Sequence, residues 1–139
     1  MAVKTSTIQL STRGFTDIID ITDAVCDAIK HSALKSGIVT IFCPSATSGV
    51  TTIEHEDGCL TDLRRLFDQI IPANEDYAHN ARWGDGNGFS HIRASLLKPS
   101  LCVPFVETRL TLSAWQQIIF VDFDNRPRQR ELVVQIMGE

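Results

Sequence analysis

No run of apolar residues in this 139-residue chain approaches the roughly 20 that a membrane-spanning helix needs. Residues 1–12 alternate polar and apolar side chains, a pattern that fits neither a signal peptide nor an anchor. Basic residues are not in excess: 13 Lys and Arg stand against 17 Asp and Glu, a formal charge of −4. A nucleic-acid or anionic-membrane binder would carry a basic face, so neither partner is expected. The four cysteines, Cys26, Cys43, Cys59 and Cys102, form no C-x-x-C pair, and three sit among apolar residues. That argues against a disulfide framework or a thiolate zinc site and fits a reducing, cytoplasmic compartment. G-x-G-x-x-G, Walker A and G-x-S-x-G motifs are missing, as are repeats and low-complexity tracts. Nucleotide-cofactor and serine-hydrolase chemistry lose their usual support.

What is present reads as a folded protein. An apolar fraction of 43% beside 22% charged residues is too apolar for disorder, and the length fits a single domain over 1–139. Residues 3–12 and 15–21 are predicted as strands joined by an Arg13-Gly14 turn. Thr22 is the expected N-cap of a helix carrying Val25, Ile29 and Ala33, with Gly37 as its stop. Residues 38–43 and 50–55 are predicted as strands flanking a small-residue turn. Asp57-Gly58 opens a second helix that places Leu60, Leu63, Phe67 and Ile70 on one face, and Pro72 closes it. Residues 73–90 lose hydrophobic periodicity and read as one long polar loop. A helical turn or two follows at 92–97, then strands at 101–106, 109–112, 116–123 and 131–137. Residues 118–121 are apolar on both faces and belong inside the sheet or between layers. The expected fold is a compact single-domain α+β structure with largely antiparallel sheet layers and two to three helices.

Function is expected in the loop over 77–95, because loops of such length inside compact domains are usually functional. His79 and His91 lie on opposite arms of it, with Asp85 and Asn87 between them. Two converging imidazoles and a carboxylate make a three-ligand metal site, and Gly84, Gly86 and Gly88 permit the backbone angles such a hairpin needs. The plainer reading is that both histidines cap turns. Ser45, Thr47, Ser48, Thr51 and Thr52 surround Gly49 and precede Glu54; hydroxyls and backbone N–H groups there suit an anion, although turns and strand edges favour Ser and Thr in any case. A helix starting near Ser90 would offer its N–H groups to an anion, with Arg93 as a clamp and Ser95 on the face of His91. The competing picture is an ordinary N-cap and a solvated arginine. Arg126, Arg128 and Arg130 alternate, and either pair with an anion or an acidic neighbour or form a solvated rim. Trp115 is expected in the core, and Trp83 as a wall for a flat ring.

The segments P-S-A-T-S-G-V-T-T-I-E, D-G-N-G-F-S-H-I-R-A-S-L-L-K-P-S, W-Q-Q-I-I-F-V-D-F-D and R-P-R-Q-R-E-L-V-V-Q-I-M-G-E, in that order, resemble the YjbQ-like family over essentially the whole chain. The resemblance implies a compact α+β fold, a homotrimer with sites near subunit boundaries, and a secondary thiamine-phosphate synthase activity. That reaction joins an aminopyrimidine diphosphate to a thiazole phosphate and releases pyrophosphate. It further implies a divalent metal, zinc or magnesium, held by His79, His91 and Asp85. Glu54, Asp85 and His91 then serve as catalytic groups, and Thr47, Thr51, Asn87, Arg93 and Ser95 bind the phosphorylated substrate. Ser45 stands where many members carry histidine. A non-catalytic trimer that binds a metal or anion, and a metal-dependent phosphoester hydrolase, are the competing functions. No residue offers itself as a nucleophile, and none is needed where diphosphate leaves from a stabilised cation.

Overall fold

Ile118, Ile119, Phe120 and Val121 have no exposed surface, and the molecule is arranged around the strand they form. In the computed structural model, which describes residues 1–139, eight strands and four helices follow one another. They are β1 (Ala2–Thr12), β2 (Asp17–Asp20), α1 (Thr22–Ser32), β3 (Gly37–Phe42), β4 (Ser48–Ile53), α2 (Asp57–Ile70), α3 (Ala78–Trp83), α4 (Gly88–Leu97), β5 (Ser100–Val106), β6 (Arg109–Leu110), β7 (Gln117–Asp122) and β8 (Arg128–Gly138). Every strand pair is antiparallel. One sheet runs β1-β8-β3-β5-β6 and the other β2-β7-β4. This is the α+β architecture expected.

Successive side chains on a strand point to opposite faces, so β7 serves two cores. Ile118 and Phe120 pack with Val39, Ile41, Phe105 and Ile136 of the larger sheet and with Val25 and Ile29 of α1. Ile119 and Val121 pack with Leu60 and Phe67 of α2 and Phe89 and Ala94 of α4. Each such side chain contributes about 1.5–3 kcal/mol by leaving water. α4, which carries His91 and Arg93, is thereby fixed on the outer side of the small sheet.

Several expectations are corrected. The segment 73–90 is not one loop: α3 lies inside it and α4 begins two residues before its end, giving four helices rather than two to three. α3 buries none of its residues, so it leaves no apolar period to read. The Arg13-Gly14 turn joins no hairpin, because β1 pairs with β8 and β2 with β7. Phe15 and Thr16, at φ 54 and 62, carry the chain from one sheet to the other. Thr22 is the first residue of α1, not its cap, and Ala33 at φ 61 ends that helix in place of Gly37. Gly37 opens β3 instead, where a Cβ would meet the Met137 carbonyl oxygen at 2.0 Å. Ile70 is exposed on α2. Trp115 is 74% exposed, since it sits in the turn held by Ser113 and Gln116 before β7 begins.

Candidate functional site

α3 and α4 cross where Gly88 presses on α3: its N–H donates to Asn80 Oδ1 at 2.8 Å, and a Cβ there would lie 2.6 Å from Tyr77 Cβ. This close approach sets His79 of α3 beside His91 of α4, with ring centroids 4.4 Å apart and planes tilted by 48°. Gly84 and Gly86, at φ 72 and 70, turn the intervening chain back and bring Asp85 with it. Asp85 Oδ1 lies 3.4 Å from His79 Nδ1. The three residues expected to hold a metal are therefore neighbours.

The two imidazoles keep nitrogen lone pairs that no protein donor uses. His91 Nδ1 lies 3.0 Å from the Ala46 carbonyl oxygen, which only accepts, so the proton sits on Nδ1 and Nε2 keeps its lone pair. His79 Nδ1 is buried and is not aligned for a hydrogen bond even with Asp85. Orphaned buried nitrogen beside a carboxylate is what a cation would satisfy. The trio is not drawn as tight as Glu54, Glu56 and Cys59, whose ligand atoms all lie within 4.8 Å of one another. That second group is less suited to a metal. Glu56 is spent on the N–H groups of Gly58 and Cys59 as the N-cap of α2, and these bonds hold its carboxyl below the usual range. The adjacent Glu56 carboxylate in turn raises the Cys59 thiol, away from the thiolate a metal requires.

Other expected residues are distributed differently. Arg93 is 3% exposed and does not face the histidines. Two residues along a helix lie on nearly opposite sides, so with His91 turned toward α3, Arg93 enters the core behind. Its Nε and Nη2 donate to the Ile71 carbonyl, Nη1 to Thr16 Oγ1, and Nη2 also to Asp68, with Phe89 and Phe67 rings alongside. It is neither an anion clamp nor a solvated side chain. The α4 terminus is equally engaged, since Ser90 N–H donates to the Asn87 carbonyl and Gly88 N–H to Asn80. Glu54 lies past the end of β4 near Cys59, and Thr51 sits within β4 opposite Ile119. Tyr77 donates its hydroxyl to the Pro72 carbonyl, leaving Trp83, 68% exposed, as the free ring. Ser95 does share a depression of 180 Å³ with His91, Ala94, Ser45 and Ser48. A roomier cleft of 530 Å³, between β1 and α1, holds none of the candidate residues.

A charged network not foreseen from the sequence joins the loops that carry Ala46 and Asp85. Asp122 and Asp124 are buried; Arg130 donates Nε and Nη2 to Asp122, and Arg128 donates Nε to Asp124. Burial pushes the Asp124 carboxyl up, but hydrogen bonds from Asn125, Asn87 and Arg128 outweigh it and hold the group below the usual carboxylate range. Thr47 Oγ1 and Asn87 Nδ2 both reach Asp124 at 3.3 Å, and Asn125 Nδ2 donates to the Asp85 carbonyl at 2.9 Å. One carboxylate thus ties down both the loop bearing Ala46 and the loop bearing Asp85. The signal was legible: D-x-D over 122–124 and R-x-R over 128–130 have matching spacing on either side of a turn. Of the alternatives open for these arginines, Arg128 and Arg130 take the acidic neighbour.

The model of the family described as UPF0047 protein YjbQ-like matches residues 6–139. A UPF0047 protein of Methanothermobacter thermautotrophicus is 34% identical over 139 residues, covering 100% of this chain and 95% of that one. The UPF0047 protein YugU of Bacillus subtilis is 32% identical, covering 95% and 98%. Among solved structures, a YbjQ-like protein of unknown function from Sulfolobus solfataricus superposes with a TM-score of 0.94 at 30% identity, over 99% of both chains.

Proposed function

This chain belongs to the YjbQ-like family, UPF0047, and from that premise we propose that it is a metal-assisted enzyme acting on phosphorylated small molecules, with thiamine-phosphate synthesis as the named reaction. The observation that carries the reading is the 4.4 Å approach of His79 and His91 beside Asp85. Two imidazoles favour zinc over magnesium, which prefers oxygen ligands. His79, His91 and Asp85 would hold the ion, and when bound it would neutralise charge on the departing pyrophosphate. His91 is preset for this by its bond to Ala46, and Asp85 by the anchoring of its loop through Asn125. Trp83 offers the exposed ring on which the aminopyrimidine stacks. Homotrimer assembly and a cytoplasmic setting complete the reading; no helix is long and apolar enough to cross a membrane.

Elemental analysis of purified protein is expected to find zinc in the wild type and to find it lost in His79→Ala and His91→Ala. Pyrophosphate release from the two thiamine precursors should follow the same order and stop on chelation. Unchanged metal content in both variants removes the site. The placement of Glu54 near Cys59 and of Arg93 in the core favours a second reading, a metal- and anion-binding trimer without catalysis. Metal binding without pyrophosphate release would select it.

A further inference from the structure

Where β3 ends, the last pair with β8 is Phe42 with Val133, and the chain then leaves the sheet through Cys43, Pro44 and Ser45. The gap that opens is a cavity of 170 Å³ lined by Cys43, Ser45, Ser48, Arg130 and Glu131 among others. It adjoins the 180 Å³ depression beside His91, for Ser45 and Ser48 line both. Four of these side chains bear donor hydrogens. The Ser48 hydroxyl is buried, with the residue 1% exposed, and has no hydrogen-bond partner in the protein. The Cys43 thiol leans toward it without being aligned as a hydrogen bond, and burial pushes that thiol up to about 12, so it stays neutral. Arg130 spends Nε and Nη2 on Asp122 and Thr47, which leaves both N–H groups of Nη1 without a protein acceptor. Ser45 Oγ accepts from Thr47 N–H at 3.1 Å and, since the Thr47 hydroxyl proton goes to Asp124, gives its own to Thr47 Oγ1 at 3.3 Å, a long bond that a ligand oxygen can replace.

We infer that this corner is an oxyanion subsite, in which Ser48, Ser45 and Arg130 Nη1 hold a phosphate group whose remainder lies in the depression toward His91. The nearby charges allow it. Arg128 and Arg130 balance Asp124 and Asp122, and the rim carboxylate of Glu131 accepts from Gln9 Nε2. Attraction therefore comes from unused or weakly engaged donors in a small space, which select a compact acceptor-rich group over a bulky one. An unsatisfied buried hydroxyl is destabilising by itself, so a partner supplied by a ligand gains more than at an exposed serine. The ligand's class rests on the function proposed above; the site itself does not need the metal.

The test is calorimetric titration with inorganic phosphate, on the full chain, after chelation and again with zinc restored. Binding is expected in the chelated protein, and Ser48→Ala should weaken it by about tenfold or more. Its unfolding midpoint should stay level or rise, because an unpartnered buried hydroxyl has been removed. Ser45→Ala should weaken binding in the same direction and, being half-buried, keeps the test open were Ser48→Ala to fold poorly. No phosphate binding by the wild type, or affinity indifferent to both variants, overturns the subsite. Phosphate binding by the wild type that Ser48→Ala weakens, with no pyrophosphate release even after zinc is restored, leaves the subsite standing while the enzyme reading fails. Metal binding and turnover alongside phosphate affinity unchanged by Ser48→Ala and Ser45→Ala does the reverse.

Discussion

Arg93 shows how far one side chain's role depends on which side of a helix it takes. Its neighbours in sequence, His91 and Ser95, face a depression, whereas Arg93 ties α4 to the end of α2 through the Ile71 carbonyl and to the β1–β2 connection through Thr16. Removing it strands a buried carbonyl and a buried hydroxyl, and lets two aromatic rings lose their cation. Arg93→Ala is accordingly expected to lower the unfolding free energy by about 3 kcal/mol. Urea denaturation measures this; a loss within about 0.5 kcal/mol, typical of plain surface substitutions, would show that the bonds are not held in solution. Phosphate affinity of the folded variant should not change. No local pattern reveals this, since S-H-I-R-A-S carries too few large apolar residues to mark the arginine itself as part of the buried stripe. His79, Asp85 and His91 were legible for the opposite reason: glycines at 84 and 86 mark a reversal, and a reversal brings its two arms together.

At the scale of elements, strands and their order of burial were readable and the small helices were not. β7 announces itself by an apolar run that spans both faces, and β1, β3, β5 and β8 by alternation or β-branched content. α3 has no buried face and owes its place to contact with α4, a relation no local pattern encodes. Gly88 is the point of that contact, and its φ is not positive, so its reason is proximity and not backbone freedom. Gly88→Ala would push a methyl group onto Tyr77 Cβ and Asn80 Oδ1, forcing α3 outward at a cost of about 1–3 kcal/mol. His79 would leave His91, so zinc affinity measured by chelator competition should fall while circular dichroism still reports a folded chain. Gly84→Ala is the control. It is strained at φ 72 but has nothing within 4 Å, so it should cost some stability and leave the α3–α4 contact and zinc affinity largely intact. Equal loss of zinc affinity in both variants would mean that the turn, and not the helix crossing, sets the pair.

For the molecule as a whole, the larger sheet has two unlike sides. Its inner side packs on α1 and the smaller sheet, while its outer side carries Val3, Ile38, Phe42, Val106 and Met137, each between 41% and 55% exposed. The register places Val3 beside Met137, Met137 beside Ile38, and Ile38 beside Pro104, an apolar row across four strands. The next row, Thr5, Gln135, Thr40 and Cys102, is uncharged. A face of this kind is rarely left in water by a monomer, and charge-poor apolar centres mark association surfaces. The proposed trimer would use it, each copy setting this face against a different face of the next until the threefold ring closes without a free end. Light scattering should then give a mass near three times 15.4 kDa. Replacing Ile38 and Phe42 together by lysine should yield a folded monomer, since neither side chain belongs to either core. A wild type that scatters as a monomer at micromolar concentration removes the trimer. A double variant that remains trimeric moves the interface elsewhere, and the exposed Trp83 and Trp115 are the residues to substitute next.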